Sequence, residues 1–158
     1  MRIIGIDPGL ATVGVGILVS DSPHHLQAEE WLTIRTKAGL PASERLAEIF
    51  TDLTALLQEV KPDLAVVERL YFETNVKTAM DVSQARGIIL LAIELQKIPL
   101  LEATPLQLKQ AITGDGKADK RQVQEMLVRL LQLKEIPQPD DAADALALAV
   151  YGAVHRDI

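Results

Sequence analysis

The run "PDDAADALALAVYGAVH", residues 139–155, limits the fold more than any other stretch of the chain. Its composition is helical, yet from Ala145 to Val154 every residue is apolar, aromatic or glycine. A helix that is apolar all round is buried on more than one side. The chain must therefore build other layers around it. Asp144 abuts this stretch, and Asp141 lies three residues earlier on the same helical face. Carboxylates sent toward a core need a partner that offsets their charge.

The rest of the chain supplies the layers. "RIIGID", "TVGVGILVS" and "HLQAEEWLTIRT" are closely spaced apolar runs that predict a β-meander. After Pro41, Leu46, Ile49, Phe50, Leu53, Leu56 and Leu57 follow helical spacing. "PDLAVVE" reads as a fully buried strand, "TNVKTAMDVSQARGIILLAIELQ" as a long helix and "IPLLEA" as a short strand. "TPLQLKQAI" opens with a capping box from Thr104 to Gln107, with Pro105 at the first helical position. A turn, "TGDGKA", then leads into the helix "DKRQVQEMLVRLLQ". Strands that cluster first and then alternate with helices predict an α/β fold, a mixed sheet covered by helices. With 158 residues, a single domain over 1–158 is expected.

No apolar span is long enough for a membrane helix, and the N-terminus reaches an acid and Pro-Gly too early for a signal peptide. The lack of cysteine excludes disulfides and zinc-thiolate sites, and a cytoplasmic location is expected. Sixteen Lys and Arg against twenty-two Asp and Glu leave a net charge of −6, the wrong sign for a phosphate binder. That charge is uneven. Residues 69–121 carry a net +2, and the acidic excess lies in the flanks.

Two strands end alike, "IIGID" at Asp7 and "LAVVE" at Glu68. Adjacent parallel strands would bring both acids out at one sheet edge, where ligands of open α/β sheets bind. Asp141 and Asp144 add two more acids from the final helix, although Asp140 and Asp141 suit a helix N-terminus equally well. Four converging carboxylates repel one another and raise their own pKa values. Hard divalent cations remove the difficulty, and oxygen ligands suit Mg²⁺ or Mn²⁺.

"GIDPGLATVGVGI", "VVERLYFETN", "SQARG", "LKQAITGDGKADKRQVQ" and "DAADALALA" together resemble, in order, the blocks of the bacterial RuvC Holliday-junction resolvases. "GIDPG" alone is weak, being shared by other ribonuclease-H-like nucleases and loosely by actin-like ATPases. The resemblance implies a ribonuclease-H-like fold with a five-stranded mixed sheet. It also implies a homodimer and Mg²⁺-dependent cutting of four-way junction DNA, leaving 5′-phosphate and 3′-hydroxyl ends. The matching catalytic and metal-binding acids are Asp7, Glu68, Asp141 and Asp144, with Asp140 additional. Two ions per subunit, roughly 3.5–4 Å apart, fit in-line phosphodiester hydrolysis. The branch-migration proteins RuvA and RuvB are implied as partners.

Lys109, Lys117, Lys120 and Arg121 surround the Gly114–Gly116 turn. Cations at a helix start oppose its dipole, and a bound phosphate would reverse that cost. On spacing alone a solvated charged turn is the alternative; the resemblance moves Lys109 and Lys120 toward DNA. Tyr71 and Phe72, just after Glu68, are placed to stack on unpaired bases or else to cover the core. Gly87 in "QARG" interrupts a helical pattern at a cost of ~1 kcal/mol against Ala. Close packing against another helix would justify that loss, and the resemblance implies that the partner is the same helix of a second subunit. Three rivals are weighed against this: a nuclease of the same fold acting on ribosomal RNA precursors, one lobe of an actin-like ATPase, and a DNA-binding module without catalysis, which intact acids at all four places argue against.

Overall fold

The computed structural model describes residues 1–22, 24–70 and 76–155, without the side chains of Val76 and Lys77. Five strands, β1 (Arg2–Asp7), β2 (Thr12–Ser22), β3 (His25–Arg35), β4 (Leu64–Glu68) and β5 (Leu100–Ala103), form one sheet in the order β3-β2-β1-β4-β5. The first three strands make the antiparallel meander, while β1, β4 and β5 run parallel. Helices α1 (Ala42–Val60), α2 (Val76–Leu95), α3 (Pro105–Thr113), α4 (Lys120–Leu130) and α5 (Asp140–His155) cover it. The mixed, helix-covered sheet is the one the sequence predicts.

Strand side chains alternate between faces, and this separates two cores. Ile4, Ile6, Val13, Val15, Ile17, Ala65 and Val67 meet Ile49, Leu53 and Leu57 of α1 and Ala85, Ile89 and Ile93 of α2. On the other face, Ile3, Leu18, Leu64 and Val66 meet α5 through Leu146, Ala147, Leu148 and Val150, with α3 and α4 outside it. Each fully buried Leu or Ile contributes roughly 1.5–3 kcal/mol. The apolar helix of residues 139–155 is thus sandwiched, and its buried residues run from Ala142 to Ala153 with Asp144 the exception.

α5 rests on the sheet almost backbone to backbone. Gly5 pairs with Gly16 across β1 and β2, and a Cβ on either would overlap the α5 backbone at Ala145 or Leu146. Two residues further along β1, Asp7 pairs with Gly14, whose Cβ would overlap the Asp141 carbonyl. Glycine here serves close approach rather than a turn.

α2 behaves differently. Its inner side packs on α1, but Met80, Leu91 and Leu95 stay 61%, 47% and 57% exposed. Gly87 has no atom within 4 Å of an added Cβ, so nothing among the described residues requires glycine there.

Candidate active site

On β1, Ile3, Gly5 and Asp7 share the face toward α5; on β4, Leu64, Val66 and Glu68 do the same. Ile6 pairs with Val67, which sets Asp7 and Glu68 side by side where the two strands end. Gly14, opposite Asp7, lets α5 descend until Asp141 sits over that end. Asp144 follows one turn later, half-buried while the residues around it are buried.

The electrostatics confirm that these groups feel one another. Burial, followed by the charges of Glu68, Asp144 and Asp141, pushes the Asp7 carboxyl up to about 8. Burial and then Asp144 raise Glu68. Burial also raises Asp144, against the opposing pull of Lys120. Even so, no group of three or more acids or histidines among the described residues stands close enough to hold a metal ion as it is. One of these acids, Asp144, is instead paired with Lys120.

Lys120 is the cation of the site. Its Nζ lies 2.7 Å from Asp140 Oδ2 and 3.0 Å from Asp144 Oδ2. Burial works against its charge, but the hydrogen bonds to Asp140 and Asp144 outweigh it and hold the ammonium above its ordinary range. Asp140, held low by Lys120, also accepts from Gln124 Nε2 at 3.0 Å. Instead of a free arm at a helix start, Lys120 clasps α4 to α5. The extra acid of "PDDAAD" is an α4 partner, placed in the first turn of α5 rather than before it.

The other basic residues separate. Arg121 is exposed and paired with Glu125 at 2.9 Å, an i,i+4 contact that its position on α4 allows. Lys117 is exposed in a turn fixed by Asp115 and Thr113. Lys109 is half-buried on α3, behind the capping box of Thr104 and Gln107, which is formed. Tyr71 and Phe72 lie outside the described residues.

Three features escape the sequence reading. A second capping box, Asp119 with Gln122, starts α4 and so aims Lys120; the D-x-x-Q spacing was its signal. The glycine seam under α5 could have been read from "GVG", whose alternation puts both glycines on one strand face. Arg86 of "QARG" donates from Nε to the Glu68 carbonyl at 3.0 Å and pairs with Glu102, tying α2 to the ends of β4 and β5. Nothing local in the sequence announces that tie.

The family model described as crossover junction endodeoxyribonuclease RuvC matches residues 3–152. The chain belongs to this family. A crossover junction endodeoxyribonuclease RuvC of Brevibacillus brevis is 51% identical over 156 residues, covering 99% of this chain and 93% of that one. The solved RuvC of Thermus thermophilus superposes with a TM-score of 0.91 at 33% identity, over 99% of this chain and 96% of the other. The same protein in complex with Holliday junction substrate gives 0.93 at 32% identity, over 99% and 94%. The ribonuclease-H-like fold and the nuclease class expected from the sequence both stand.

Proposed function

We propose that this Holliday-junction-resolving endonuclease acts as a metal-dependent homodimer, cutting four-way DNA junctions by paired symmetric nicks that leave 5′-phosphate and 3′-hydroxyl ends. The observation that carries the metal dependence is the state of Asp7. A carboxyl pushed up to about 8 by burial and three neighbouring acids marks a place with too little positive charge. The donors are all carboxylate oxygens, which suits a hard cation and disfavours a soft one. The residues present therefore fit Mg²⁺, with Mn²⁺ the alternative, and Asp7, Glu68, Asp141 and Asp144 would hold two ions per subunit. Bound there, the pair supplies activation of the attacking water and charge stabilisation at the leaving 3′-oxygen.

The chain's own residues do the rest. Strand ends and the α5 backbone fix the four acids on rigid elements, which keeps them oriented before substrate arrives. Lys120, pinned between Asp140 and Asp144, stands where a phosphate approaching the acids would meet a cation. Lys109, Lys117 and Arg121 extend a basic edge along α3 and α4 for the flanking duplex. Base stacking by Tyr71 and Phe72 belongs to the same reading and rests on their places three and four residues after Glu68.

The apolar exposed side of α2 and the open Gly87 support a dimer in which two copies of α2 pack together. Two-fold symmetry would match two opposed strands of a junction. Delivery by the branch-migration proteins RuvA and RuvB, in the cytoplasm, completes the proposal. The deciding experiment incubates the protein with a synthetic four-way junction and Mg²⁺, beside a structured ribosomal RNA precursor. Paired nicks in the junction alone are expected; cutting of RNA with an intact junction would overturn the reading.

A further inference from the structure

A cavity of about 390 Å³ opens beside Asp141, between the β1–β2 loop and the starts of α1 and α2. Its size lies within the roughly 300–1,000 Å³ of clefts that take ligands. Gly9, Thr12, Arg45, Thr78, Asp81 and Asp141 are among its lining residues, so it shares Asp141 with the active site.

Arg45 is its one cation among the described residues. The Arg45 Nε donates to Thr36 Oγ1 at 2.8 Å, and the buried Thr36 hydroxyl donates to the Leu10 carbonyl at 2.6 Å. This relay anchors a half-buried guanidinium to the loop that follows Asp7. Only one of its five N–H donors is used, and neither terminal nitrogen meets an acceptor among the described residues. Arg2, Arg86 and Arg121 each hold a carboxylate, from Glu29, Glu102 and Glu125. Among the described residues Arg45, like Arg35, Arg69 and Arg129, holds none, although Asp81 and Asp141 share its cavity. A guanidinium oriented by a buried relay and left without an anion is prepared to receive one.

We propose that this cavity is the subsite for the nucleotide flanking the cut, and that Arg45 grips its backbone phosphodiester. The inference deepens the nuclease reading and rests on it. Asp81 and Asp141 disfavour a free anion there, so the phosphate that enters is one tethered to a strand already held at the acids. Tethering raises its effective concentration enough to overcome their repulsion. Gripping a second phosphate fixes the direction of the strand across Asp7 and Glu68. That orients the scissile bond.

The test uses the full-length protein and junctions carrying one neutral methylphosphonate at each position near the cut, read as single-turnover cleavage in Mg²⁺. For the wild type, one flanking position should slow cutting roughly 10- to 100-fold, the value of a lost charged hydrogen-bond pair. Arg45→Met should slow cutting of the unmodified junction by a similar factor and lose nothing more at that position. Arg45→Lys should recover part of the rate, and it serves in place of Arg45→Met should that variant fail to fold. Losses that multiply at every position would overturn the assignment, as would an Arg45→Met enzyme as fast as the wild type. Inorganic phosphate at matched ionic strength should leave cleavage unchanged; inhibition that disappears in Arg45→Met would make the site one for free phosphate instead. A wild type that leaves the unmodified junction intact would fail in a different way, bringing down the nuclease reading itself and the subsite with it.

Discussion

Asp7 shows at one residue how function opposes stability. Its carboxyl titrates at about 8 in the folded chain, against about 3.9 for an unperturbed aspartate. Between those values the folded state binds a proton that the unfolded state has released, so stability falls as pH rises through this window. Asp7→Asn removes the repulsion. The variant is expected to melt roughly 2–8 °C above the wild type at pH 8 without metal, corresponding to about 1–2 kcal/mol, and to lose the advantage near pH 4. Added Mg²⁺ should raise the wild-type melting temperature at pH 8 and reverse the order, because ligand binding stabilises the state that binds it. The same variant should retain junction binding and lose cleavage; retained cleavage in Mg²⁺ would remove Asp7 from the chemistry. Lys120 makes a second case. Lys120→Ala should weaken junction binding and lower the slope of log affinity against log salt by up to about 0.9, as for one released counterion. An unchanged slope would leave Lys120 a purely internal partner of Asp140 and Asp144.

Among the elements, α5 on its glycine seam decides whether the acids meet at all. Gly14→Ala would force the α5 backbone away from β2 at Asp141, the residue that must sit over Asp7. Overpacking of this kind costs typically 1–3 kcal/mol. The expected outcome is a folded but less stable protein, seen by thermal melting, with cleavage reduced by more than the stability loss explains. Cleavage at the wild-type rate would show that Asp141 tolerates displacement. The element scale also marks how far the residues alone could be read. Strands and helices came from local periodicity, and the Thr104 box from local spacing, because those signals lie within one segment. The acids at two strand ends were legible for the same reason. The seam joins residues 5, 14 and 16 to residues more than a hundred positions away, so that "GVG" shows two glycines on one strand face but not the helix they meet. Lys120 was visible as a charge but not as a clasp, since its partners lie on another helix.

For the whole molecule, the two faces of the sheet carry different duties. On one face α5 meets the ends of β1 and β4, where the four acids lie, with α3 and α4 packed outside it; α1 and α2 on the other face leave Met80, Leu91 and Leu95 uncovered. Leu91→Glu should convert a dimer to monomers in sedimentation and replace paired nicks by single ones, with the melting transition of each protomer little changed. A variant that still sediments as a dimer would place the two-fold contact elsewhere. The glycine seam has one more consequence, for anyone reshaping this enzyme. With main chain lying directly on main chain there is no layer of side chains that can yield, so repacking under α5 offers almost no route to a new substrate. His25, exposed at the start of β3 and at the end of the sheet remote from Asp7, lies outside that seam. A fluorophore or fusion partner grafted beside His25 should leave the nuclease working.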